Sequence, residues 1–105
     1  MNKPLSQQYE EMGLQWTDLD AAATLLEDTK SSFLSQKMQT YIDVGFAVNR
    51  AEAAVKASPE WSAYIYNMVE TRKKANVCRV KMDTIKMRIS EQMSEEANNR
   101  AASKM

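Results

Sequence analysis

Behind Ser58-Pro59, the stretch from Glu60 to Met105 holds no further glycine or proline. Ser58 suits an N-cap, Pro59 the first helical position, and Glu60 places negative charge in the first turn. A helix over 59–104 is roughly 69 Å long at about 1.5 Å per residue. A compact domain of similar size has a radius of gyration of only about 13 Å. A chain of 105 residues cannot wrap such a helix on all sides. The uncovered part must meet solvent or a partner, which points to a protein that works by interaction.

The rest of the composition agrees with an all-α chain. Two glycines and two prolines leave little turn chemistry for a sheet. Ala, Met, Glu, Lys, Gln and Arg, all good helix formers, are abundant. Formal net charge is zero, so any polyanion binding must come from a local patch. No run approaches the roughly 20 apolar residues of a membrane span, and the first residues do not read as a signal peptide. No membrane partner is expected. The single cysteine, Cys78, fits a reducing cytoplasm and reads as a small buried residue on a helix face.

Histidine is absent, which removes the commonest general base and metal ligand. No phosphate-binding glycine loop, metal-spaced cysteine cluster or serine-nucleophile motif occurs. The paired carboxylates Glu10–Glu11, Glu27–Asp28 and Glu95–Glu96 diverge by about 100° on a helix and read as solvated charge. The expectation is a non-enzymatic protein with no cofactor and no metal.

Local signals divide the chain into four helical pieces of a single domain. A short helix over 6–12 ends at Gly13 as a left-handed C-cap. Thr17 then caps a helix over 18–43, with Asp20 three residues on and Trp16 as a staple. Its apolar stripe is Leu19, Ala22, Ala23, Leu26, Phe33, Tyr41 and Val44. Gly45 interrupts, a connecting helix follows over 46–57, and the long helix occupies 59–104. A short connector favours antiparallel packing, giving a coiled-coil-like helical hairpin with a very long C-terminal arm. Beyond about Arg88 that arm has no expected neighbour.

The long helix carries the most specific pattern. Met68, Ala75, Met82 and Ile89 recur every seven residues, with Thr71, Cys78 and Ile85 at the complementary seam positions. Both flanks of this seam are basic: Arg72, Arg79 and Lys86 on one side, Lys74, Lys81 and Arg88 on the other. Like-charged flanks oppose pairing with an identical copy in register. Asp18, Asp20, Glu27 and Asp28 are expected level with residues 76 to 88, where they can neutralise the cations. The alternative is a basic surface for an acidic partner protein or nucleic acid, through Arg72, Lys74, Arg79, Lys81, Lys86 and Arg88. No aromatic residue follows Met68 to supply a base-stacking platform.

A second apolar line, Val69, Val77, Val80 and Met87, lies on the same helix, and Met93 and Ala97 follow it. A helix with two apolar lines packs on two sides, so these residues are the expected oligomer interface of a homo-oligomer. Trp61, Ile65 and Met68 share a face and should pack the helical corner, with Tyr66 pointing outward.

Ala57-Ser58-Pro59-Glu60-Trp61, the run Met68 to Val77, Arg79 to Met82, and Glu96-Ala97-Asn98-Asn99-Arg100 resemble a group of small helical proteins of phages and prophages. The resemblance covers Phe46 to Arg100. It implies a phage-type accessory protein acting in recombination or replication and no catalytic residues. The expected function is therefore self-association plus binding of a phage or host partner protein in the bacterial cytoplasm. An inhibitor of a host defence or nuclease complex and a structural virion module are the alternatives.

Overall fold

The computed structural model describes residues 3–103, which form three helices: α1 (Leu5–Asp43), α2 (Val48–Lys56) and α3 (Pro59–Ser103). The chain is all-α, an antiparallel hairpin of α1 and α3 joined through α2. It measures 85 × 24 × 17 Å with a radius of gyration of 23.5 Å, close to double the compact value of about 13 Å. The expected end at residue 104 lies outside the described residues.

Gly13 does not end a helix. The expected breaks over 6–12 and at Thr17 are absent, and α1 runs from Leu5 to Asp43 without interruption. The Thr17 hydroxyl donates to the Gly13 carbonyl at 2.9 Å, a bond within the helix rather than a cap. The physical reason is the seam. Leu5, Tyr9, Met12, Trp16, Leu19, Ala23 and Leu26 alternate four and three residues apart and are all buried or half-buried. A mid-helix glycine costs about 0.5–1 kcal/mol against alanine, while burying one large apolar side chain returns about 1.5–3 kcal/mol. Two expected stripe residues, Ala22 and Val44, are instead exposed.

The break comes at Gly45, whose φ of 104° is left-handed territory. Its N–H bonds to the Ile42 carbonyl at 2.9 Å and the Phe46 N–H to the Tyr41 carbonyl at 3.1 Å. This is the paired hydrogen bonding of a Schellman motif. The accompanying apolar contact is Tyr41 against Phe46, with ring centroids 5.2 Å apart. Because Phe46 is used in that closure and Ala47 is extended, the connecting helix covers Val48–Lys56 rather than 46–57. Ser58 caps α3 as expected: the Trp61 N–H donates to its Oγ at 3.2 Å, and the hydroxyl donates to the Val55 carbonyl at 2.6 Å.

The α3 seam lies where the heptads put it. Ala75, Cys78 and Ile85 are buried, and Met68, Thr71, Met82 and Ile89 are half-buried. The Cys78 thiol donates to the Met12 carbonyl at 3.3 Å. At the corner, Phe33 stacks on Tyr64 with centroids 4.5 Å apart, Trp61 lies parallel to both, and the Tyr64 hydroxyl donates to the Leu26 carbonyl. The register differs from expectation, since Asp20 and Glu27 sit level with Arg72 rather than with 76 to 88. Helix α2 folds back on the last turns of α1, so α3 begins opposite Phe33 instead of Asp43. The same shift carries α1 further along α3: Lys3, Leu5 and Gln8 border one groove with Arg88, Ile89 and Gln92. Cover therefore extends past Arg88. From Ser90 to Ser103 every α3 side chain is exposed.

Candidate partner-binding surface

The six flanking cations have three different fates. Arg72 is consumed within the hairpin. Its Nη1 donates to Asp20 Oδ1 at 2.7 Å, and its Nη2 and Nε donate to the two Glu27 oxygens at 2.7 and 3.0 Å. The Thr24 hydroxyl takes a further bond at 3.2 Å. These bonds hold the Glu27 carboxyl below its ordinary pKa, and the bonds to Glu27 and then Asp20 hold the guanidinium above its own. Arg72 belongs to the fold rather than to a partner.

Arg79 lies over Trp16, its guanidinium carbon 5.2 Å from the ring centroid, a cation–π contact that leaves its charge uncompensated. Lys86 is exposed and makes no ion pair with any described residue. Intramolecular neutralisation, expected along both flanks, is met among the described residues at Arg72 alone.

The other flank is left without acid on the α1 side. Lys74, Lys81 and Arg88 are exposed and make no ion pair with any described residue. An antiparallel hairpin brings like flanks together, and here α1 contributes Gln8 and Gln15. Gln15, Met12 and Leu19 border a groove of about 270 Å³ with Lys74, Val77 and Lys81. Arg88 stands at the next groove along, which Gln8 also lines. The result is a row of cations about two turns apart, with apolar surface between them. Glu11, at the open end of the hairpin, is already tied to Lys3 at 2.9 Å, which lowers its pKa.

The second apolar line lies on the outer side of α3, opposite the seam. Val80 and Met87 are 64% and 63% exposed, and Val69 and Val77 about half. Val69, Lys73, Asn76, Val77 and Val80 border an open groove of about 740 Å³. Met93, grouped with this line in the sequence, does not continue it, whereas Ala97 keeps the heptad position of Val69. At about 100° per residue, Met93 turns some 120° away from Met87, back to the seam side and beyond the start of α1. Lys73 was missed as a surface residue. Tyr66, Lys73, Val80 and Met87 share one heptad position, so extending the repeat upstream identifies it.

Among the described residues no group of three Cys, Asp or Glu side chains is arranged to hold a metal ion. No helix of the described residues is long and apolar enough to cross a membrane. No protein-family model, curated protein or solved structure matches the chain.

Proposed function

We propose that this chain is a non-enzymatic accessory protein that binds an acidic partner protein along the α3 edge formed by Lys74, Lys81 and Arg88. The observation that carries this reading is that α1 faces that edge with Gln8 and Gln15, and that Glu70, Glu91 and Glu95 of α3, which line the same grooves, make no ion pair with its cations. Three cations on a rigid helix are thereby left for an external anion. Val77, Met12 and Leu19 interleave with them, so an amphipathic acidic helix satisfies both the charges and the apolar strip. A nucleic-acid backbone satisfies the charges alone. The setting, recombination or replication in a phage, comes from the resemblance over Phe46 to Arg100.

Affinity capture from phage-infected cells tests the proposal, with the parent chain and a Lys74→Gln, Lys81→Gln, Arg88→Gln variant immobilised in parallel. The expected result is a recombination or replication protein held by the parent alone, released by salt, and still held after nuclease treatment. Equal retention by both chains, or retention that vanishes with nuclease, overturns it.

A further inference from the structure

Two unpaired apolar lines remain on the hairpin, on opposite sides, one carrying Asp18 and the other Lys73 beside Glu70. On the outer face of α1, Leu14 and Leu25 are 65% and 64% exposed, with Asp18 between them. On the outer face of α3, Tyr66 is 69% exposed and Val77 46%, with Glu70 and Lys73 between them. Neither Asp18 nor Lys73 makes an ion pair with a described residue. A lone exposed apolar residue is ordinary; lines of them on two faces of a 12.0 kDa chain are not.

We infer that these two faces bind each other between copies: the α1 line Leu14–Asp18–Leu25 of one chain docks antiparallel on the α3 line Val77–Lys73–Tyr66 of the next. The spacings match. Asp18 is as far from Leu14 as Lys73 is from Val77, and Leu25 as far from Asp18 as Tyr66 is from Lys73. Antiparallel packing then sets Leu14 against Val77, Asp18 against Lys73, and Leu25 against Tyr66. Glu10 comes level with Lys81 in the same register. This is nearly the level of the contacts inside one hairpin, where Met12 meets Cys78 and Asp20 meets Arg72. Successive hairpins therefore lie side by side with little stagger.

Pairing α3 with α3 is the poorer arrangement. Antiparallel packing of two α3 helices centred on Lys81 brings Lys81 against its own copy and Lys74 against Arg88, and such like-charge contacts are unfavourable. The α1 face offers carboxylates in their place. Because the two docking faces differ, the contact is heterologous, and copies add head to tail into a ring or an open row. The inference gives the self-association expected of this chain a partner surface that takes Val77 from the second apolar line and leaves Val80 and Met87 level with Glu11 and Pro4. It shares Val77 and Lys81 with the proposed partner edge but not Lys74 or Arg88, and it is read from self-association of the pure chain, so its failure and the failure of the proposed function are distinguishable.

Two half-blocked variants test it by sedimentation and light scattering. Leu14→Glu with Leu25→Glu blocks the α1 face; Tyr66→Glu with Val77→Glu blocks the α3 face. All four positions are exposed, and far-ultraviolet circular dichroism checks that both variants remain helical. The parent is expected to associate beyond a dimer as concentration rises, and each variant alone to stay at 12.0 kDa. Mixed, the two variants should form a one-to-one pair at twice that mass and grow no further, since each retains one complementary face. Exchanging charges as Asp18→Lys with Lys73→Asp should restore association that either change alone weakens. A monomeric parent, a variant that still self-associates, or a mixture that stays monomeric overturns the inference.

Discussion

Arg72 reaches across the hairpin to Glu27 with two parallel hydrogen bonds, Nη2 to Oε1 at 2.7 Å and Nε to Oε2 at 3.0 Å. Its Nη1 meanwhile holds Asp20 at 2.7 Å. Two carboxylates one heptad apart thus converge on one guanidinium, and the planar fork of arginine matches that geometry where lysine does not. The cluster ties α1 to α3 at a single register and removes one cation from the basic flank.

Stability should therefore depend on acid pH through Glu27. Its folded pKa lies below its ordinary value of about 4.3. For a depressed carboxylate, the unfolded chain binds the proton more readily. The stabilisation is thus fully present above the ordinary value and is lost as pH falls through the folded value. Urea unfolding of the parent and of Arg72→Gln should show the parent more stable at pH 7. The difference should shrink below about pH 4.3 and also in high salt, because the pair faces solvent.

Opposite signs are expected for the same substitution at the two glycines. Gly13 is helical, and a Cβ there meets the Met82 Cε at 3.6 Å, an ordinary contact. Gly13→Ala should raise stability by about 0.5–1 kcal/mol. Gly45 has φ of 104° with open space around it, so the penalty there is conformational. Gly45→Ala should lower stability by about 1–2 kcal/mol. Thermal unfolding followed at 222 nm reads both, and a destabilised Gly13→Ala would restore the broken-helix reading of α1.

Close approach of α1 and α3 requires small residues in the seam. Ala23 and Ala75 have no exposed surface at all. Ala75→Leu forces side chains off their rotamers or the helices apart, which costs about 1–3 kcal/mol. The same change at Val77, an exposed position one turn-fraction away, should leave unfolding of the monomer within about 0.5 kcal/mol. Denaturation of both variants at low concentration separates seam from surface.

The α3 seam was legible because seven-residue spacing and a strong N-terminal cap are both local. Met68 to Ile89 needs only counting, and Ser58-Pro59 only the capping rules. Gly13 misled for the same reason. Its neighbours make a plausible C-cap and N-cap, but the outcome was decided by burial of Met12 and Trp16 on a helix far along the chain. The register was hidden by α2. Nothing local to Asp20 or Arg72 says that α2 packs on the end of α1 and sets Phe33, not Asp43, opposite Trp61. With the register went the charge assignment, so Arg72 was read as a surface cation. A helix broken at Gly13 has no continuous outer face, so from the sequence Leu14 reads as the apolar residue just beyond that cap and not as one line with Leu25.

The last turns of α3 give the final prediction. From Ser90 to Ser103 no side chain is buried, although the groove shared with the start of α1 extends as far as Glu95. A chain ending at Glu95 keeps that groove and the entire seam. It should lose helical signal roughly in proportion to the residues removed. Its unfolding free energy should shift by less than about 0.5 kcal/mol, as for other changes in exposed surface. Any stabilisation from the tail by a second copy would appear as a concentration-dependent Tm in the full chain that the shortened chain lacks. The side-by-side register places the interchain contacts between Tyr66 and Lys81, well before the tail, so both chains should show the same concentration dependence. Differential scanning calorimetry at two concentrations, tenfold apart, makes that comparison.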